Sequence, residues 1–72
     1  MNSYVSNEVV GKRLRDLRKK RGLTLKEVSQ ELKIAENTLC SYEKGTRRPK
    51  AKTMVELANF YNVSIQDIFF KN

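Results

Sequence analysis

Thr24-Leu-Lys-Glu-Val-Ser-Gln-Glu-Leu-Lys-Ile-Ala-Glu-Asn-Thr-Leu-Cys-Ser-Tyr-Glu-Lys44 is the stretch that decides the fold. It reads as two short helices separated by Lys33, Ile34 and Ala35. The first keeps Leu25, Val28 and Leu32 on one face, and the second keeps Leu39 and Tyr42, both at helical spacing. Thr24 with Glu27 forms a capping box, in which each side chain satisfies a backbone N–H left free at the helix start. Leu23 and Val28 flank that box as a hydrophobic staple. Ile34 and Ala35 are apolar or small enough for one helix to fold across the other. Gly45 follows at once. The pattern predicts a helix-turn-helix over residues 24–44.

The same signals extend outward in both directions. Val10, Leu14 and Leu17 mark a helix from about Asn7 or Glu8 to Arg21, ended by Gly22 in a left-handed conformation. Downstream, Met54, Leu57, Ala58 and Tyr61 share a helical face. That helix starts either near Ala51, just after Pro49, or at a Thr53–Glu56 capping box, and Asn62 suits its left-handed end. Ser64 with Asp67 and Val63 with Ile68 repeat the box and staple, predicting a last helix from Ile65 to Phe70. The fold class is all-α, in one domain spanning residues 1–72, with residues 1–6 as an N-terminal arm.

Seventy-two residues leave room for one core and none for a separate effector or catalytic domain. Lys and Arg number 15 against 8 Asp and Glu, a formal net charge of +7. The excess is concentrated in residues 12–21 and 44–52, on either side of the helix pair. A charge so placed favours a polyanion, and with a helix-turn-helix the polyanion is double-stranded DNA. Cys40 is the single cysteine, so no internal disulfide forms and a reducing compartment is expected. No secretion signal and no membrane-length apolar run is present, which predicts a cytoplasmic protein without a membrane partner.

Rotation by 100° per residue assigns the faces of the second helix of the pair. With Leu39 at the centre of the buried side, Ala35 and Tyr42 lie beside it. Asn37, Cys40, Ser41 and Lys44 fall opposite, with Glu36 at the edge near the start. Asn matches the major-groove edge of adenine, Ser can address several bases, and Glu can accept from cytosine. The loop that follows holds Arg47, Arg48, Lys50 and Lys52 within six residues. Cations beside free N–H groups at a helix start suit phosphate oxygens.

The segment from Arg21-Gly22-Leu23-Thr24 through Tyr42-Glu43-Lys44-Gly45-Thr46-Arg47-Arg48-Pro49 closely resembles the phage repressor/Cro-type (XRE-like) helix-turn-helix family. The resemblance reaches back over Arg13 to Arg18 and forward to Leu57-Ala58 and Val63-Ser64. It implies a compact, lambda repressor-like five-helix bundle whose third helix reads bases. The family's reading positions fall here on Glu36, Asn37 and Ser41, with Cys40 and Lys44 as lesser candidates. Its phosphate contacts fall on the start of helix 2, at Thr24 and Lys26, and on the loop of Arg47, Arg48, Lys50 and Lys52. It also implies an ion pair between Arg18 and Glu43, which rotation places about 40° from Leu39.

Three residues depart from the family pattern. Leu25 stands where a phosphate-bonding Gln is frequent. Lys33 occupies the usual turn Gly, and a left-handed Lys there costs about 1 kcal/mol. Ala35 replaces a capping Ser or Thr, a loss of roughly 1 kcal/mol.

Together these readings predict a sequence-specific DNA-binding transcriptional regulator, a repressor that binds a two-fold operator as a homodimer. Ile65, Phe69 and Phe70 are the interface candidates. The alternative is an antitoxin or other protein-interaction module that also binds its own operator. A membrane-surface role for residues 12–21 is disfavoured because Asp16 interrupts the face and no bulky aromatic accompanies it. An enzyme is not expected, since the chain has no His, no Gly-rich phosphate loop and no Cys or His cluster. No cofactor, metal or small-molecule ligand is expected. A redox role for Cys40 is the minor reading beside that of an ordinary half-exposed thiol.

Overall fold

Each helix begins and ends where local chemistry dictates. In the computed structural model, which describes residues 4–71, α1 spans Asn7–Lys20, α2 Leu25–Leu32, α3 Glu36–Lys44, α4 Ala51–Tyr61 and α5 Ile65–Phe69. Ser6 caps α1 by accepting from the Val9 N–H at 3.2 Å. At its other end Gly22 is left-handed, its N–H reaches the Lys19 carbonyl, and the Leu23 N–H reaches Arg18. That pair of bonds is the Schellman arrangement, which satisfies carbonyls a helix end would leave orphaned.

Both predicted capping boxes form, Thr24 with Glu27 and Ser64 with Asp67. The Thr53–Glu56 box does not. Helix α4 already begins at Ala51, so Thr53 is inside its first turn. Asn62 adopts the expected left-handed end of α4, at φ 57°. Helix α5 stops at Phe69, one residue earlier than its spacing suggests, because Phe70 is extended and pairs with Tyr4 in an isolated antiparallel bridge. Residues 1–3 of the expected arm lie outside the described residues. The rest of the arm is tied down, with the Val5 N–H donating to the Phe69 carbonyl at 3.1 Å.

The core collects one face from every helix. Val10 and Leu14 of α1 meet Val28 of α2, Leu39 and Tyr42 of α3, Leu57 and Tyr61 of α4, and Ile68 and Phe69 of α5. Burying such side chains contributes about 1.5–3 kcal/mol apiece against the entropy of ordering the chain. Phe69 is 0% exposed, which corrects its reading as an interface residue: the core of this small domain consumes it completely.

A five-residue helix such as α5 has no stability of its own. Arg13 on α1 holds it. One guanidinium nitrogen donates to the carbonyls of Asp67, Ile68 and Phe70 at 3.1, 3.3 and 2.9 Å. Those of Asp67 and Ile68 are among the carbonyls that the end of α5 would leave without intrahelical partners, and Phe70 is the first residue past it.

Candidate nucleic-acid interface

The turn between α2 and α3 sets the angle of the presented helix. Lys33 is left-handed at φ 58°, the strained conformation that its position in the turn implied. Ser29 secures the turn from within, donating its hydroxyl to the Ile34 carbonyl at 2.6 Å while its own carbonyl accepts from the Lys33 N–H at 2.8 Å. Ala35 occupies the N-cap of α3 and provides no side-chain bond there. The Leu25 side chain is half-buried and packs on the core, so the α2 start carries no amide side chain at that position.

Two contacts fix α3 against α1. The first is the pair of Arg18 and Glu43, which meets at 2.8 and 2.9 Å through two parallel bonds. A third Arg18 bond runs to the Leu23 carbonyl at 2.9 Å, so one guanidinium links α1, the α1–α2 turn and the end of α3. The Glu43 bonds raise the Arg18 pKa, with burial opposing them. The second contact was not foreseen. A Cβ on Gly11 would lie 2.4 Å from the Glu43 carbonyl oxygen and 2.6 Å from that of Tyr42. The two helices therefore touch backbone to side, and only glycine permits it. A glycine inside a helix costs about 1 kcal/mol against alanine, and that mismatch was the signal available in the sequence.

Held in this way, α3 turns Glu36, Asn37 and Lys44 to the surface, with Cys40 and Ser41 half-exposed beside them. All five predicted reading residues share one outward face. The Ser41 hydroxyl donates to the Asn37 carbonyl at 3.0 Å, so toward a ligand it offers chiefly acceptor lone pairs. Cys40 is a free thiol. Lys44 sits in the last turn of α3, where the helix dipole favours a cation.

The phosphate candidates divide. Lys26, Arg47, Lys50 and Lys52 are exposed. Thr24 is exposed, but within the capping box its hydroxyl donates to the Glu27 carboxylate at 3.2 Å and accepts from the Glu27 N–H at 3.1 Å. Arg48 does not belong with the others. It is half-buried and donates to the Val5 carbonyl at 3.3 Å and to Asn7 Oδ1 at 2.8 Å, with its guanidinium over the Tyr4 ring at 4.6 Å. The sequence reading placed it on the phosphate face because charge alone does not reveal which arginine of a pair turns inward.

The loop lies close against α1. Gly45 is left-handed at φ 78°, and a Cβ there would stand 2.8 Å from the Cα of Glu8. Pro49 is buried. Behind the α3 end, burial and the Glu43 carboxylate push the Tyr61 phenol up to about 12, with the cations Arg18 and Arg21 opposing. Among the described residues no helix is long and apolar enough to cross a membrane, and no three potential ligands cluster for a metal.

Known proteins share this arrangement. The chain is 41% identical over 63 residues to the HTH-type transcriptional regulator ImmR of Bacillus subtilis (strain 168), covering 88% of this chain and 50% of that protein. It is 43% identical over 56 residues to the cryptic phage CTXphi transcriptional repressor RstR of Vibrio cholerae, covering 78% and 50%. The chain thus spans about half the length of the curated relatives it matches. The BldD DNA-binding domain of S. venezulae superposes with a TM-score of 0.77 at 31% identity, over 88% of this chain and 94% of that one. Residues 11–72 match the family described as "Helix-turn-helix domain", and the chain belongs to that family.

Proposed function

We propose that this chain is a sequence-specific double-stranded DNA-binding transcriptional regulator that represses by occupying a two-fold operator as a dimer. The observation that carries the reading is the face of α3. Glu36, Asn37, Cys40, Ser41 and Lys44 form one outward polar surface, and the Arg18–Glu43 pair and the Gly11 contact hold it rigidly. A helix so presented fits the major groove, while Lys26, Arg47, Lys50 and Lys52 flank it toward the sugar–phosphate strands. Of the similar proteins named above, ImmR is a transcriptional regulator and RstR a transcriptional repressor of a cryptic phage.

The dimer follows from the short reach of one helix, which reads only a few base pairs. Ile65 and Phe70 remain half-exposed at the C-terminal end and line one shallow groove with Gln66 and Lys71. They are the self-association patch of this reading, without Phe69. The four flanking cations Lys26, Arg47, Lys50 and Lys52 give a dimer about eight phosphate contacts and a salt slope near −7.

Selection of bound duplexes from a random pool tests the reading directly. The expected product is a preferred sequence with two-fold symmetry, half-sites about one helical turn apart. Asn37→Ala then costs about 1–3 kcal/mol on that site and relaxes preference at one position, whereas Lys52→Ala weakens all duplexes alike and lowers the slope by about one. A pool that returns no preferred sequence overturns the proposal.

A further inference from the structure

We propose that Tyr4 is a positioning residue for DNA binding, transmitting a fixed anchor at the C-terminal end to the loop of residues 45–50. The inference rests on the DNA-binding role proposed above. Four observations carry it. The Tyr4 ring stacks on Phe70 with centroids 4.5 Å apart and planes at 26°. The same ring also carries Arg48, whose guanidinium carbon stands 4.6 Å from its centroid. Phe70 is in turn fixed by the Tyr4 bridge and by the Arg13 bond to its carbonyl at 2.9 Å. And Arg48 gives everything to this connection: it bonds Val5 and Asn7, and its Nη2 is buried without a hydrogen-bond partner among the described residues.

Arg48 lies between Arg47 and Lys50 in the chain, so where its guanidinium is held decides where their backbone runs. An arginine drawn inward onto an aromatic face, at the cost of an unmet donor, fixes that backbone more firmly than a solvated one. Val5 and Asn7 supply directional bonds from one side, and Tyr4 covers the guanidinium. With the ring removed, Arg48 regains water and the loop loses one wall of its seat. Arg47, Lys50 and Lys52 keep their charge but no longer converge on the same phosphates.

The test measures fluorescence-anisotropy binding of the whole chain to a duplex carrying one selected half-site, across a range of KCl. A single half-site removes the avidity of the dimer from the result. Tyr4→Ala is expected to bind roughly fivefold more weakly or worse, with a salt slope shallower by about one. Tyr4→Phe retains the ring and is expected to bind more tightly than Tyr4→Ala. Phe70→Leu, remote in sequence from every DNA-facing residue, is expected to weaken the half-site in the same direction. Urea unfolding confirms that each variant is folded in the assay. If Tyr4→Ala does not fold, Arg48→Met reads the same connection from its other end, with the same expected loss. Equal affinity and slope for Tyr4→Ala and wild type overturn the inference, as does a Tyr4→Phe variant as weak as Tyr4→Ala. If wild type binds no duplex in a salt-dependent way, the DNA-binding reading itself has failed and the inference falls with it.

Discussion

Arg18→Met should be among the most damaging single substitutions in this chain. It removes both bonds to Glu43 and the bond to the Leu23 carbonyl, and leaves a carboxylate stranded where side-chain exposure is only 10%. Deleting one partner of a pair this buried costs about 3–5 kcal/mol. A domain of this size has roughly 4–11 kcal/mol in all, so the loss takes a large fraction of its stability. With an m-value near 1 kcal/mol/M, the urea midpoint should fall by about 3 M or the variant should already be unfolded in buffer.

The converse experiment isolates the cause. Arg18→Met combined with Glu43→Leu removes both charges and fills much of the same space, so stability should return to within about 1 kcal/mol of wild type. Far-UV circular dichroism in urea measures all three variants and wild type. A single-variant loss below about 1 kcal/mol would class the pair with exposed ion pairs, and the buried-pair argument would be wrong. Equal losses in the single and double variants would assign the effect to shape or to the lost Leu23 bond rather than to the stranded charge.

Further outcomes concern the other contacts. Gly11→Ala, which in an open helix would stabilise by about 1 kcal/mol, should instead cost about 1–3 kcal/mol, because the new methyl meets the α3 carbonyls; thermal unfolding decides the sign. Ala35→Ser should add about 1 kcal/mol by capping α3, since the residue is exposed and already extended at ψ 141°. Lys33→Gly should gain up to about 1 kcal/mol by relieving its left-handed strain, and urea titration of both turn variants checks this. Tyr61 supplies the pH dependence. Its folded pKa of about 12 lies above the ordinary value of 10.0, so its contribution is complete below pH 10 and is lost as pH rises toward 12. Tyr61→Phe should flatten that alkaline loss; an unchanged profile would remove Tyr61 as its source.

Secondary structure was readable because its determinants are local. The Thr24 and Ser64 boxes, the glycine after α1, Asn62 and the apolar spacing each act within one or two turns, and all appear where expected. The α3 face was readable for the same reason, since helical rotation follows from the chain itself. The misreadings all concern long-range packing. Arg47 and Arg48 are chemically alike and adjacent, yet the second turns inward because Tyr4, Val5 and Asn7 happen to stand there. Phe69 and Phe70 are likewise adjacent; Phe69 lies on the buried face of α5 with Ile68, while Phe70 is extended and pairs with Tyr4.

By itself, then, the chain determined five helices, most of their ends, and an outward polar face on α3 beside a basic loop, because capping and periodicity are properties of neighbouring residues. Tertiary structure alone decided that Gly11 admits α3, that Arg13 finishes α5, and that Arg48 turns inward to Val5, Asn7 and the Tyr4 ring. Each of those depends on groups tens of residues apart meeting at contact distance, and no local pattern encodes such a meeting.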